Sequence, residues 1–545
     1  MKQILFGKKA RAKLFIGVNV LADAIKPTIG PKGLNLGADR GYSGPFVTND
    51  GNSISNEILL SNPIENMGVN YEKEVSQRTN DTSGDGRKTT ILLYQAIINE
   101  GLKVLDPSWF KSIFKSKVNA VGIRDGINKA AKIATDYLLT ISKPVKDNEE
   151  IKRIAVISSK SEQIGDVIAE TMKQLGTNSV ITVEESMVSG ITSEVAQGLE
   201  LDKGYISNYM VTNKDRMETE IKDVPILVTD LKISVIDEIV PLLEDVIKSG
   251  KRELLIIAED VTGDALQTFI LNKLQGGPVI LCVKAPGFGA RKKDYLQDIA
   301  TVVGATFISS DIYSNLGNVK IEDLGSAERV TATKDKTIIV GGRGTKESLD
   351  ERIAEIKKEL EGLSSKHDQL KVAERLAKIT NGVAVIKIGA ATETEAKYLK
   401  QKTEDAVNAV KASLDSGILP GGGSSLLNAS KAILEAYTAH KSEYTRDELV
   451  GFKILAKALV VPLKQIAKNA GQGDGSNVLK KVSKMNQGGG YDALNNKYVE
   501  DLVDYGIIDP TKVENLAILN STSGAGMFLT IETVSAEESK TPGSI

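Results

Sequence analysis

Cysteine, histidine and tryptophan are nearly absent from this chain: 545 residues hold one Cys, two His and one Trp, and aromatics make up 5%. The lone Cys282 can form no internal disulfide. It sits in the apolar run Val279-Ile280-Leu281-Cys282-Val283, so a buried strand thiol in a reducing compartment is the plain expectation. His367 and His440 are too few for a zinc site or histidine-based catalysis unless carboxylates do that work. Net charge is missing as well. The 69 Lys+Arg and 71 Asp+Glu are interspersed and sum to −2, leaving no polybasic surface for nucleic acid or an anionic membrane. No apolar run is long enough to span a membrane, and Met1-Lys2-Gln3-Ile4-Leu5-Phe6-Gly7-Lys8-Lys9 lacks the apolar stretch of a signal peptide. A cytoplasmic protein is expected. Neither the P-loop pattern G-x-x-x-x-G-K-[ST] nor the Rossmann pattern G-x-G-x-x-G occurs.

What the chain does have is glycine at two informative places. Thr28-Ile29-Gly30-Pro31-Lys32-Gly33 and Gly84-Asp85-Gly86-Arg87-Lys88-Thr89-Thr90 are tight turns at the ends of helical stretches. Glycine lets backbone approach a phosphate, and the unpaired N–H groups of a helix start attract its charge. Asp85 adds a hard oxygen ligand suited to Mg²⁺, followed by hydroxyls. Each turn alone also reads as a structural loop; the pair reads as a nucleoside triphosphate site.

The length calls for two to four domains. Leu14, Val18, Leu21 and Ile25 stripe a helix over 10–26 that Pro27 stops. Helical patterns recur at 91–104, 119–142, 396–416 and 447–470, so the outer thirds are mainly helical. In the middle, β-rich runs at 180–183, 225–228, 254–257 and 279–283 alternate with helical segments, and 349–379 reads as a helical hairpin. That alternation predicts an α/β domain inserted into a helical one, with Gly198 and Gly382 as hinge points.

At this point the chain resembles the group I chaperonins, the bacterial GroEL type. The resemblance rests on matching stretches at 17–24, 28–33, 65–68, 84–86, 255–261, 284–289, 297–301, 389–393, 421–423 and 509–513, in order and at the right spacing. It implies a multidomain α and α/β fold. A mainly helical equatorial domain would comprise 1–140 and 416–545, a small intermediate hinge domain 141–197 and 384–415, and an α/β apical domain 198–383. It implies an ATPase that promotes folding of captured polypeptides in a central cavity. Its partners would be unfolded or partly folded proteins, copies of itself in a homo-oligomeric, seven-membered ring, and a small lid co-chaperonin.

The resemblance also assigns residues. Thr28, Ile29, Gly30 and Pro31 match the first phosphate loop; Asp85 matches the Mg²⁺ ligand, with Gly86 and Thr89 following. Asp50 matches an aspartate near the γ-phosphate and attacking water. Gly422 and Asp509 match ribose contacts, and Ile157, Ser158, Ala493 and Ile507 the nucleoside surroundings. Asp405, alone a solvated helix carboxylate, matches the residue that positions the attacking water from the hinge domain, making hydrolysis a slow timer. Three positions depart from the pattern. Arg87 and Lys88 stand where the family has threonines, and Asn49 where it has lysine. Lys88 is expected to take the place of a K⁺ ion beside the phosphates, and Arg87 either to grip a phosphate or to point into solvent.

Client capture needs exposed apolar surface. Tyr205, Tyr209, Met210, Val240, Leu243, Leu266, Ile270 and Leu271 match the family's groove, which also takes the mobile loop of the lid. By pattern alone, helix residues such as Val240, Leu243, Leu266 and Ile270 read more readily as core than as groove. Further departures are the longer segment carrying Trp109, Phe110 and Phe114, the C-terminal end at 539–545 without a glycine–methionine tail, and Lys464 with Gln472-Gly473-Asp474-Gly475 at the ring–ring contact.

Overall fold

Leu14, Val18, Leu21 and Ile25 are all fully buried on helix Gly7–Ile25 of the computed structural model. Beyond it the chain tightens into the 3₁₀ turn Lys26–Thr28, where Pro27 supplies no backbone donor. The structure describes residues 2–39, 45–106, 118–159, 161–176, 179–214, 216–287, 289–313, 315–363 and 365–537. Trp109, Phe110, Phe114 and the 539–545 end therefore lie outside the described residues.

The chain divides into two units, Met1–Ala169 with Gln401–Ile545, and Glu170–Lys400. The first is mainly helical. Helix Gly7–Ile25 crosses helix Pro63–Ser83 at Gly17 and Gly68, where a Cβ on either residue would strike the carbonyl of Glu65 or Leu14. This close approach sets side by side the two helices that lead into the glycine turns. Helices Arg87–Leu105, Ala120–Ile141, Arg446–Leu459 and Thr511–Leu529 complete the core around Tyr94, Ile97, Leu138, Phe452 and Phe528. Tyr94 and Phe528 meet edge-on, ring centroids 6.5 Å apart. The continuous helix expected over 447–470 is instead two, Arg446–Leu459 and Val461–Asn469, because Pro462 fits a first helical turn but not an interior. Short antiparallel pairings that were not foreseen include Lys2–Phe6 with Thr533–Glu537, and Leu36–Asp39 with Pro45–Thr48.

The second unit is α/β. Its six-stranded sheet runs in the order Val279–Lys284, Glu253–Ala258, Thr219–Val228, Gly325–Ala332, Thr337–Gly342, Gly198–Leu201. The first three strands are parallel, and the rest antiparallel. Leu254, Leu255, Ile256 and Ile257 are all buried, as expected of a parallel strand covered on both faces. A three-stranded sheet centres on Val383–Gly389, parallel to Val180–Glu185 and antiparallel to Gly190–Ala196. The helical hairpin expected over 349–379 is present as Lys346–Gly362 and Lys366–Asn381. The segment from 236 to 247 begins as a 3₁₀ turn, Ile236–Glu238, and becomes α-helical over Val240–Lys248, with Pro241 in its first turn.

Candidate functional site

The first glycine turn hangs from the end of helix Gly7–Ile25. The Thr28 hydroxyl donates to the Ile25 carbonyl at 2.8 Å, and Gly30 has φ of 85°, a conformation that suits glycine. Asn469 holds this loop from a distant helix, donating to the carbonyls of Lys26 and Ile29 at 2.8 and 2.9 Å. Thr28 and Ile29 are buried, Gly30 is half-buried and Pro31 is exposed.

The second turn joins helix Pro63–Ser83 to helix Arg87–Leu105 through Gly84 and Gly86, with φ of 72° and 89°. Asp85 Oδ1 accepts from the Gly86 N–H at 2.7 Å. The Ser83 hydroxyl donates to the Asp85 carbonyl at 3.0 Å, and Thr90 donates to the Gly86 carbonyl at 2.9 Å. Thr89 is half-buried one residue before it. The two turns meet: Lys88 Nζ donates to the Thr28 carbonyl at 3.1 Å.

Asp50 caps helix Gly51–Glu57, its Oδ2 accepting from Ser53 N–H at 2.7 Å, with Asn49 half-buried before it. Asp405 lies on helix Glu393–Ser416, which packs on the second turn where a Cβ on Gly84 would overlap the Asn408 side chain. Burial, then the like charges of Asp85 and Asp50, push the Asp405 carboxyl up to about 8; Lys402, 4.0 Å away, opposes this only in part. About a third of that side chain's surface remains open, so a solute still reaches it.

Asp509 pairs with Leu419 across strands Ile418–Pro420 and Ile508–Pro510, and receives a hydrogen bond from the Gly422 backbone. Burial and Asp85 raise its carboxyl to about 7. Glu514, buried behind it, is raised well above its usual range by desolvation and by Asp509. Ile507 lies 3.9 Å from where a Gly422 Cβ would stand, and Ile157 the same distance from the Gly506 equivalent. Ser158 is half-buried beside Ile157, and Ala493 is buried. Asp50, Asp85, Asp405 and Asp509 thus share one electrostatic neighbourhood. Among the described residues no three acidic, His or Cys side chains converge as a metal cage. The crowded carboxylates suit a hard divalent cation, whose charge would offset their mutual repulsion.

Arg87 does not point into solvent. It is 5% exposed, and its guanidinium donates to Gln77 Oε1. Motif matching did not find Asn469, Asn408, Gln77 or Glu514; each acts through a side-chain contact of the folded chain that no motif encodes.

On the second unit the groove residues separate. Tyr209 and Leu271 are 65% and 55% exposed. Val240, Leu243, Leu266 and Ile270 are half-buried, Leu243 and Leu266 packing on the core. Tyr205 and Met210 are corrections to the groove set: both are buried. The Tyr205 hydroxyl donates to the Met217 carbonyl at 3.3 Å, and Met210 sulfur accepts from Cys282 N–H at 3.5 Å. Val235, Ile247 and Leu274, not anticipated, are exposed on the same segments. Lys273 Nζ donates to the Tyr209 carbonyl at 2.9 Å, tying that loop to helix Gly263–Leu274.

A model of the TCP-1/cpn60 chaperonin family matches residues 21–539. The chain belongs to that family. Its fold is similar, with a TM-score of 0.68 and 19% identity, to the chaperonin gp146 from the bacteriophage EL 2 (Pseudomonas aeruginosa), crystallised in the presence of ATP-BeFx. The match covers 98% of this chain and 99% of that one. No described helix is long and apolar enough to cross a membrane.

Proposed function

We propose that this chain is an ATP-hydrolysing, ring-forming chaperonin that captures unfolded polypeptides on apical apolar surface. The observation that carries the reading is the joining of two glycine turns by Lys88 and Thr28 amid crowded carboxylates. The turns offer backbone N–H groups to phosphates. Asp85 would hold Mg²⁺, which supplies charge neutralisation at the phosphates when bound. Asp50 and Asp405 orient the attacking water, and removing its proton falls to a carboxylate whose basicity the crowding has raised. Gly422 and Asp509 face the ribose, and Ile157, Ser158, Ala493 and Ile507 enclose the base. Lys88 supplies the monovalent positive charge, so K⁺ is not required.

Residues 1–140 and 416–545 form the equatorial part, 141–197 and 384–415 the hinge, and 198–383 the client-binding part. Tyr209 and Leu271, with the half-buried Val240, Leu243, Leu266 and Ile270, provide the capture surface. Individually weak apolar contacts gain strength when seven copies present them in a ring, and a small lid protein competes for the same surface. The test is joint: Mg²⁺-dependent ATP turnover by the purified chain, and suppression of aggregation of a chemically denatured protein at stoichiometric ring concentration. A chain with neither property is no chaperonin ATPase.

A further inference from the structure

Arg87 is the first residue of helix Arg87–Leu105, one position after Gly86, and its side chain is almost wholly buried. A guanidinium taken out of water is costly unless its donors and its charge are matched. One donor goes to Gln77 on helix Pro63–Ser83, while Nε is buried without a partner. The anions that offset the charge are Asp50 and Asp81. Asp50 opens helix Gly51–Glu57, and the stems of Lys88 and Arg87 lie 3.1 and 3.5 Å from where a Cβ on Gly51 would stand. Two adjacent cations thus pack on the start of the Asp50 helix and then diverge, Lys88 to the first phosphate turn and Arg87 to Gln77.

We propose that Arg87 is a positioning residue for Asp50: its stem backs Gly51, and its buried charge, steadied by Gln77, keeps the Asp50 carboxylate at the reacting phosphate. The inference rests on the nucleotide site proposed above. Because the guanidinium is buried and engaged by Gln77, it acts on the reaction through Asp50 and not by gripping a phosphate itself. A short segment that carries a catalytic carboxylate needs such support, since a displacement of an ångström at a water-orienting group already costs much of its effect.

The experiment compares Arg87→Met, Arg87→Lys, Gln77→Ala, Asp50→Asn and the Arg87→Met/Asp50→Asn pair in the full-length chain. It reads kcat and Mg·ATP affinity separately. Arg87→Met is expected to lower kcat about tenfold at an affinity within about threefold of the parent, the mark of an interaction used in the transition state. Arg87→Lys keeps most of kcat, Gln77→Ala loses part of it, and the pair is no worse than Asp50→Asn alone, as for residues acting as a unit. Should Arg87→Met fail to fold, the Lys and Gln77 variants carry the test. Unchanged kcat in Gln77→Ala and Arg87→Met, a loss confined to affinity, multiplying losses in the pair, or Arg87→Lys as slow as Asp50→Asn each overturn the proposal. Amide hydrogen exchange over Gly51–Glu57 gives an answer that does not depend on turnover: faster exchange in Arg87→Met is expected, and unchanged exchange overturns the positioning role. A parent chain without Mg²⁺-dependent hydrolysis sinks the proposed function instead.

Discussion

The ammonium of Lys88 donates to the backbone carbonyl of Thr28 at 3.1 Å, across sixty residues of sequence, and so joins the two glycine turns through a fixed positive charge. A tethered ammonium and a bound monovalent cation compete for the same carbonyl oxygen and the same phosphate charge. ATP hydrolysis by the parent is therefore expected to run equally in sodium and potassium buffers of equal ionic strength. Lys88→Thr removes the ammonium and is expected to make turnover several-fold faster in potassium than in sodium. Strong K⁺ activation of the parent enzyme is the contrary result.

Asp405 sits where burial and two neighbouring carboxylates, Asp85 and Asp50, all work against its charge. Removing it relieves repulsion in the site while deleting the group proposed to orient water. Asp405→Ala is thus expected to bind Mg·ATP as tightly as the parent or slightly more tightly, with kcat lower by about a hundredfold. Isothermal titration and single-turnover hydrolysis read the two effects separately. A variant with near-parental kcat removes Asp405 from the mechanism.

Much of this fold is legible where one chain segment decides its own structure. The stripe Leu14, Val18, Leu21, Ile25 specifies a buried helix, and the apolar runs at 254–257 and 279–283, short and rich in Ile and Val, read as covered strands. The strands Lys2–Phe6 and Thr533–Glu537 are mostly exposed and pair only with each other, so neither announces itself by pattern. In the candidate site, the glycine turn picks out Asp85, and the family resemblance adds Asp50, Asp405 and Asp509. Neither says anything of Asn469 holding the first turn, a contact between distant elements, or of Gln77 drawing Arg87 inward, a side-chain contact between consecutive helices that no motif encodes. Tyr205 and Met210 mark the converse limit: the family pattern places them in a groove, and here the sheet packs over them.

The division of the groove set leads to opposite expectations for neighbouring residues. Tyr209 and Leu271 are exposed, so Tyr209→Ser and Leu271→Ser should weaken suppression of aggregation while Tm changes by no more than a few degrees. Tyr205→Ser and Met210→Ala empty core positions, and each is expected to cost about 2–5 kcal/mol of stability. Light scattering with a denatured client and thermal unfolding of the same preparations check both halves. Parental capture by the two surface variants together moves the binding face elsewhere.

Glu72 is fully buried on helix Pro63–Ser83, and neither carboxyl oxygen has a hydrogen-bond partner. Desolvation raises its carboxyl well above the usual range, with the charge of Asp23 adding to this and Lys26 opposing it. The native state therefore keeps Glu72 protonated at a pH where the unfolded chain has released that proton. Below the unfolded pKa of about 4.3 both states are protonated and this group adds no pH-dependent penalty. As pH rises above that value, the group costs about 1.4 kcal/mol of stability per unit until the native carboxyl itself ionises. Glu72→Leu, similar in volume and free of polar atoms, is expected to raise Tm at pH 8, with the gain shrinking steadily as pH falls toward 4.5. Thermal unfolding of parent and variant at pH 5, 6.5 and 8 checks the sign. A gain independent of pH assigns the effect to packing alone, and a loss at pH 8 shows that the ionised Glu72 has found a partner in the native state.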